Sequence, residues 1–181
     1  MRVISGKYKG LKLQGFNNKG TRPTMDRVKE SLFSIIQNKL KGSIVLDLFA
    51  GSGSLGIEAL SNGSAICYFV ELNKKMFSIL KNNLLNLKIE EEYHLLNKDY
   101  LVALKYFHKK NIKFDLIFLD PPYDKHLINK TLEKIVEYDL LLEEGLVICE
   151  YAKEVINDDK FEIVKNKKYG SKKISILRKR N

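Results

Sequence analysis

The sequence predicts a doubly wound α/β fold with a mostly parallel sheet, and three observations carry this prediction. From residue 44 onward, short apolar runs alternate with segments of helical periodicity. Runs such as IVLDLF, ICYFVE and FDLIFL are nearly continuous, which is typical of parallel strands covered by helices on both faces. A glycine-rich turn joins the first run to the first helical segment, which favours a tight strand-to-helix connection.

Residues 1–43 precede this alternation and are expected to form a small N-terminal extension of one domain, residues 44–181. Residues 2–13 alternate polar and apolar around Gly6 and Gly10, which predicts a small strand pair or arm. A helix is expected next, because apolar residues recur there at helical spacing. These residues are Val28, Leu32, Ile35, Ile36 and Leu40.

The remaining elements follow in order from the same patterns. Strands are predicted near residues 44–49, 66–71, 93–97, 114–119 and 145–150, and helices near 54–62, 73–87, 100–109 and 126–138. The segment FEIVKNKKYGSKKISIL predicts two further strands joined around Gly170, an antiparallel hairpin at the sheet edge. The predicted sheet therefore has seven strands.

Composition excludes several classes of protein. No apolar run approaches the roughly 18–20 residues of a membrane span, and the basic N-terminus lacks the apolar core of a signal peptide, so we expect a cytoplasmic protein. Cys67 and Cys149 lie inside apolar runs and are expected to be buried thiols. The three histidines share no ligand spacing with each other or with a cysteine, so no metal is expected.

Charge is distributed unevenly along the chain, whose formal net charge is +10. Residues 1–43 and residues 165–181 each carry +8, whereas the residues between them carry −6. All five arginines lie in these basic flanks, and arginine binds phosphate in a bidentate manner. The flanks therefore indicate a polyanionic partner, most simply nucleic acid, although the lysines of the C-terminal tail are equally consistent with a solvated surface.

The glycine-rich turn has the spacing of a nucleotide-type cofactor loop. Gly51, Gly53 and Gly56 form G-x-G-x-x-G between a predicted strand and helix, and Glu71 ends the next strand 20 residues after Gly51. In Rossmann-like folds this arrangement lets backbone amides approach the ligand while the acid accepts hydrogen bonds from ribose hydroxyls.

NAD and S-adenosylmethionine both bind to loops of this geometry, and the acidic residues at four predicted strand ends indicate which of the two is bound. Asp47, Glu71, Asp99 and Asp120 would repel the pyrophosphate of NAD but suit S-adenosylmethionine, which carries a sulfonium and an ammonium group and no phosphate. We assign Asp47 to the ammonium, Glu71 to the ribose and Asp99 to the adenine amine. The full set of candidate cofactor residues is Asp47, Phe49, Gly51, Gly53, Gly56, Glu71, Leu72 and Asp99.

The stretch Asp120-Pro121-Pro122-Tyr123 supplies the candidate catalytic residues. Methyl transfer from a sulfonium requires an acceptor lone pair in line with the methyl group. A nucleobase amine is a poor nucleophile, and the Asp120 carboxylate and Pro121 carbonyl can accept its two hydrogens and favour a pyramidal nitrogen. The two prolines make a stiff turn, and Tyr123 can stack on the base.

Here the sequence also carries a resemblance. VLDLFAGSGSLGIEAL and FLDPPY resemble the S-adenosylmethionine-dependent amino-methyltransferases with an N/D-P-P-Y/F signature, in which these residues hold the target amine. The stretches RVISGKYKGLKL, TRPTMDRVKESLFSII and KKYGSKKISIL resemble the bacterial RsmD family, which methylates N2 of a guanine in small-subunit ribosomal RNA. The resemblance covers nearly the whole chain and implies a class I methyltransferase fold.

By this resemblance the substrate is guanine 966 of 16S ribosomal RNA, as naked RNA or in the small-subunit particle. The resemblance places Arg22 and Arg27 near the RNA, and Lys7 and Lys9 of the basic arm are further candidate RNA contacts. We expect a monomer.

Three alternatives stay open from the residues alone. The first is another amino-methyltransferase, acting on adenine N6 or a glutamine amide, although the chain has no insertion for DNA recognition and has Asp120 where the glutamine class shows Asn. The second is a non-catalytic RNA-binding ribosome-assembly factor, which the intact acids disfavour. The third, an NAD oxidoreductase, has no obvious donor for hydride chemistry beside the loop.

Overall fold

The computed structural model describes residues 1–15, 23–122, 127–153, 155–156 and 159–180. The helices are α1 (Pro23–Ile36), α2 (Ser54–Ser61), α3 (Lys74–Asn86), α4 (Tyr100–Lys109) and α5 (Ile128–Glu137), and a 3₁₀ turn, Gln37–Lys39, follows α1. The strands are β1 (Ile44–Asp47), β2 (Ile66–Val70), β3 (Glu92–Leu96), β4 (Phe114–Leu119), β5 (Leu141–Tyr151), β6 (Phe161–Tyr169) and β7 (Lys172–Lys179). No helix within these ranges is long and apolar enough to cross a membrane.

The seven strands form one sheet in the order β3-β2-β1-β4-β5-β7-β6. The first five strands in this order are parallel, and β7 pairs antiparallel with both β5 and β6. The predicted fold class, with its C-terminal antiparallel hairpin, is therefore confirmed. β2 and β3 lie on one side of β1, whereas β4 and β5 lie on the other, so the order in which the parallel strands are added to the sheet reverses between β1 and β4. A crevice opens there at the carboxyl ends of the parallel strands.

Successive side chains along the central strands point to opposite faces of the sheet, and both faces are buried. On the front face, Val45, Leu116, Phe118 and Ile148 belong to one hydrophobic cluster with the N-terminal arm, α1, α2 and α3. On the back face, their chain neighbours pack against α4 and α5. These neighbours include Leu46, Ile117, Leu119, Val147 and Cys149. Burial on both faces explains why the sequence of these strands is apolar without alternation.

The N-terminal arm, residues 1–15, is fastened to the front face by Glu58 of α2. This fully buried carboxylate accepts hydrogen bonds from the backbone amides of Ile4 and Ser5, and Lys29 of α1 donates to it at 2.8 Å. Of the predicted strand pair, the arm keeps a single antiparallel bridge between Arg2 and Lys12. The extension shares its hydrophobic cluster with α2 and α3, while the boundary at residues 43 and 44 stays a prediction.

Candidate active site

The crevice at the carboxyl ends of β1, β2 and β4 contains a cavity of about 910 Å³. Its lining includes nine of the sequence-predicted site residues, namely Asp47, Phe49, Gly51, Glu71, Leu72, Asp99, Asp120, Pro121 and Pro122. A cavity of this size suits a cofactor and part of a substrate. The geometry thus brings the predicted cofactor residues and the predicted catalytic residues to one place.

Gly53 and Gly56 lie behind this lining, where they let the loop pack closely on its neighbours. Gly53 has φ +87°, and a Cβ there would lie 2.4 Å from Leu80 of α3. A Cβ on Gly56 would lie 2.2 Å from Phe69 of β2. Both glycines therefore shape the loop by allowing close approach of helix and strand, while Gly51 faces the cavity.

Asp47 ends β1 on the front face, beneath the glycine loop. One of its carboxylate oxygens accepts a hydrogen bond from the Gly56 amide at 2.9 Å. Burial raises the pKa of Asp47 to about 7 against the opposing effect of this hydrogen bond, and the charge of Glu71 raises it further. A buried carboxylate in this state is well suited to a cationic ligand, which would stabilise its ionised form.

Glu71 follows β2 and holds the other end of the loop. Its carboxylate accepts hydrogen bonds from the amide of Gly51 at 2.8 Å and from that of Asn73 at 2.7 Å. The Asn97 side chain donates to the backbone carbonyls of Glu71 and Leu72, which fixes the end of β2 against the end of β3. Since each carboxylate oxygen can accept more than one hydrogen bond, Glu71 retains capacity for a ligand hydroxyl.

Asp99 and Phe49 form a third part of the lining, with a neighbour that the sequence did not single out. Asp99 caps the N-terminus of α4, where its side chain accepts a hydrogen bond from the Leu101 amide at 2.8 Å. The rings of Phe49 and Tyr100 lie 5.4 Å apart. Together with the exposed Leu72, these rings give the cavity an apolar wall suited to a flat aromatic group.

Asp120 follows β4 on the same front face as Asp47, two residues beyond Phe118. Burial raises the pKa of its carboxyl well above the ordinary value, the charge of Glu150 raises it further, and Lys172 opposes this effect. Pro121 is buried, and Pro122 is exposed at the cavity. Tyr123, the last of the four predicted catalytic residues, lies outside the described residues.

Several cavity residues escaped the sequence analysis. Glu150 lies at the carboxyl end of β5, one residue before Tyr151, as the other acids lie at or just after the ends of their strands, and that position was the signal that could have found it. The hairpin contributes Tyr169 and Lys172, and α1 contributes Lys29. No local pattern marks these three residues, because their approach to the cavity depends on how distant parts of the chain pack.

Of the four predicted RNA-binding residues, the three that the structure describes do not all lie together. Arg27 is exposed on α1, next to the cavity residue Asp26, whereas Arg22 lies outside the described residues. The ammonium of Lys7 binds Glu90 and Glu91, which precede β3, so Lys7 lies at the amino ends of the strands, opposite the cavity. Lys9, which is exposed, belongs to the same turn of the arm.

The arrangement of donors and acceptors fits S-adenosylmethionine. In a dinucleotide-binding loop the glycine amides point at phosphate oxygens, but here the amides of Gly51 and Gly56 already donate to Glu71 and Asp47. Two carboxylates beside the loop favour a ligand with positive charge and hydroxyl donors. The chemistry of this donor set therefore matches a sulfonium cofactor that has an ammonium group and no phosphate.

Fold and site together define a class I S-adenosylmethionine-dependent methyltransferase. The family model described as "Conserved hypothetical protein 95" matches residues 1–178, and the chain belongs to this family, the RsmD family.

The relatives are named as methyltransferases. The chain is 40% identical to "Putative rRNA methyltransferase YlbH" of Bacillus subtilis over 99% of this chain and 100% of the relative. It is 38% identical to "Ribosomal RNA small subunit methyltransferase D" of Haemophilus influenzae over 94% of this chain and 89% of the relative. A solved structure, "Putative methyltransferase yhhF from Escherichia coli", has a TM-score of 0.84 and 29% identity, covering 99% of this chain and 97% of its own.

Proposed function

We propose that the protein transfers a methyl group from S-adenosylmethionine to the exocyclic N2 amine of a guanine in bacterial small-subunit ribosomal RNA. One observation carries the proposal. The Asp120 carboxyl and the adjoining proline pair share a cavity with a glycine loop whose amides are held by Asp47 and Glu71. An acceptor for an amine and an acidic cofactor pocket are thus adjacent.

On the cofactor side, the bound group would supply an electrophilic methyl on a sulfonium. Asp47 would hold its ammonium and Glu71 its ribose hydroxyls, while Asp99 and the ring of Phe49 would face its adenine. Burial of Asp47 strengthens its attraction for a cation, because the local dielectric is low.

On the substrate side, Asp120 and the Pro121 carbonyl would each accept one hydrogen of the amine. These two hydrogen bonds, in which the amine N–H groups donate, hold the nitrogen in place and turn its lone pair toward the methyl group. Such alignment is the main requirement of an in-line transfer. The nitrogen gains the methyl group as the bond between that methyl and sulfur breaks, and the nitrogen gives up one proton to Asp120 or to water. Proline fixes the backbone on which the carbonyl is carried, and Tyr123 is expected to stack on the base.

Three observations support ribosomal RNA as the substrate class. Two relatives that this chain matches over nearly their full length are named as ribosomal RNA methyltransferases, and one of the two names specifies the small subunit. The basic flanks suit a polyanion. The resemblance stated above implies guanine 966 of 16S ribosomal RNA, and such an activity belongs in the cytoplasm, where ribosomal subunits are assembled.

The decisive experiment incubates the protein with labelled S-adenosylmethionine and either naked 16S RNA or assembled small-subunit particles, and maps the product by mass spectrometry. We expect N2-methylguanine at one site. Asp120→Ala should lower the rate at least about a hundredfold, since amine positioning is lost. Asp139→Asn, which neutralises an exposed acid paired with Lys113 and tolerates the left-handed backbone at that position, is the control and should be near wild type.

The outcomes separate the parts of the proposal. Label in adenine, DNA or protein would show that the substrate assignment is wrong. Equal rates for Asp120→Ala and wild type would show that the assigned role of Asp120 is wrong.

A further inference from the structure

Four neighbouring strands present charged side chains in a row on the front face. Asp47, Asp120 and Glu150 continue the front-facing positions of β1, β4 and β5, because residues two apart in a strand share a face. Lys172 does the same for β7, two residues before the front-facing Ile174. All four line the cavity.

The strand register gives the spacing of this row. Leu119 is paired with Cys149, so the next residues, Asp120 and Glu150, stand side by side on adjacent strands about 5 Å apart. Glu150 is paired in turn with Ile174 of β7. Lys172 therefore lies one front-facing step further toward the mouth of the cavity.

Lys172 and Glu150 contact each other. The Lys172 ammonium donates a hydrogen bond to a Glu150 carboxylate oxygen, and the two side chains are 31% and 15% exposed. An ammonium has three donors and a carboxylate has several acceptor positions, so this one contact does not exhaust either group. Beside Asp120 the cavity thus offers a second carboxylate and then an ammonium.

This order of groups complements one edge of one base. The Watson–Crick edge of guanine presents the N2 amine, the N1–H and the O6 oxygen, which are two donors followed by an acceptor. Adenine presents its N6 amine beside N1, which is an acceptor. Enzymes that take a base out of its stack commonly identify it by hydrogen bonds to this edge.

We propose that Glu150 and Lys172 determine the specificity for guanine, with Glu150 accepting a hydrogen bond from N1–H and Lys172 donating one to O6. The inference rests on the proposed function, in which Asp120 holds the adjacent exocyclic amine. A base with an acceptor at N1 would place a lone pair against the Glu150 carboxylate where guanine places a donor, and the repulsion between the two acceptors is strongly unfavourable.

The test uses RNA with the mapped target position occupied by guanine or by 2,6-diaminopurine. Diaminopurine keeps the N2 amine but has an acceptor at N1 and a second amine in place of O6. Wild type should prefer guanine by at least about tenfold in kcat/KM and in RNA affinity. Glu150→Gln can donate its amide to N1, so the preference should fall about tenfold, and Lys172→Met should also lower it.

The matched controls are Glu162→Gln, which alters a carboxylate paired with Arg178 on β6 and β7, and Lys134→Met on α5. Both should retain the wild-type preference. Circular dichroism melting checks that each variant folds, and the ratio between the two RNAs cancels any loss common to both.

A ratio unchanged in Glu150→Gln and Lys172→Met, with guanine still methylated by wild type, would overturn this inference and leave the proposed function standing. Failure of the wild type to methylate the guanine RNA would overturn both. Loss of activity on the two RNAs by the same factor would assign Glu150 and Lys172 a structural role only.

Discussion

Asp47 is a buried carboxylate and Asp120 is a half-buried one, and the folded chain holds both at a cost. Both have a raised pKa, chiefly because burial disfavours the charged form, and a neighbouring carboxylate adds to each shift. Charged groups placed at such a cost are characteristic of sites that bind or react, since the ligand supplies the compensation. The two residues also differ, because Asp120 lies near a lysine and Asp47 lies near Glu71.

Asp47 should make the protein less stable as the pH rises. Its pKa is about 7 in the folded protein, against 3.8 ordinarily. Between these values the folded protein keeps a proton that the unfolded chain has lost, so the free energy of unfolding falls as pH rises through this interval. Between pH 5 and pH 8, the free energy of unfolding of Asp47→Asn should therefore decrease by about 2 kcal/mol less than that of wild type.

Urea unfolding at the two pH values measures the effect, and Asp139→Asn is the control. The pKa of Asp139 is lowered by its hydrogen bond from Lys113, so that substitution should not reduce the fall. Asp47→Asn should also bind S-adenosylmethionine more weakly. A pH dependence identical in Asp47→Asn and wild type would contradict the account of Asp47.

Asp120 should set the acidic limb of the pH–rate profile. In the proposed mechanism the ionised form of Asp120 accepts a hydrogen bond from the amine, so activity should rise with pH as Asp120 loses its proton. Lys172 lowers this pKa and Glu150 raises it. Lys172→Met should therefore move the limb to higher pH, and Glu150→Gln to lower pH, by about one pH unit each.

Single-turnover rates across pH 5–9 measure this displacement, because they report the chemical step apart from product release. Lys134→Met, an exposed lysine of α5, should leave the limb unmoved. Movement of both variants in the same direction would contradict the electrostatic explanation.

At the scale of elements, α1 and the N-terminal arm complete the site through one buried ion pair. Lys29 lines the cavity and contacts Glu58, the backbone carbonyl of Arg2 and the Ser54 hydroxyl. Glu58 in turn holds the backbone of Ile4 and Ser5. The position of the cavity wall therefore depends on a carboxylate that is itself outside the cavity lining.

Glu58→Gln should lower the free energy of unfolding by about 3 kcal/mol, because it leaves the buried Lys29 ammonium without its counterion. Activity at a temperature where the variant is folded should also fall, since the arm and α1 would lose their common anchor. Thermal melting and methylation assays measure the two effects. Glu137→Gln, which removes an exposed pair with Lys134, should change stability by less than about 0.5 kcal/mol.

Most elements could be predicted because each is set by its own local pattern. The predicted strand 114–119 matches β4, and the helix 100–109 matches α4. β5 begins earlier than predicted, at Leu141, where an irregularity in its pairing with β4 interrupts the pattern. The strand-end acids were predicted for a general reason, since the carboxyl ends of parallel strands meet at one edge.

The residues that were missed depend on sheet order instead. Lys172 reaches Glu150 only because β7 inserts between β5 and β6, and no periodicity in the sequence encodes that insertion. Lys29 reaches the cavity only because α1 packs beside α2, where Lys29 pairs with Glu58. Distant packing, which single-sequence patterns do not report, decides both.

At the scale of the whole molecule, the structure divides the basic N-terminal flank into two regions. Arg27 lies beside the cavity, whereas Lys7 binds Glu90 and Glu91 at the opposite edge of the sheet. An RNA whose target base enters the cavity would lie nearer to Arg27. The prediction that Lys7 and Lys9 contact RNA requires the RNA to extend around the protein.

Arg27→Ala should weaken RNA binding alike for all sequences and reduce the slope of log K against log salt by about 0.7–0.9, the value for one lost phosphate contact. Lys7→Ala should leave that slope unchanged. Filter binding or anisotropy between about 50 and 200 mM salt measures both. A larger effect of Lys7→Ala would show that RNA does reach the opposite edge.

The cavity wall also determines when the protein becomes competent during its own synthesis. Met1 and Lys29 from the start of the chain face Ser171, Lys172 and Ile174 of the hairpin across one cavity. A nascent chain therefore has its glycine loop and the end of β4 long before it has a closed pocket. A ribosome must translate past Ile174 and release that segment from its exit tunnel before the cavity of this protein can close.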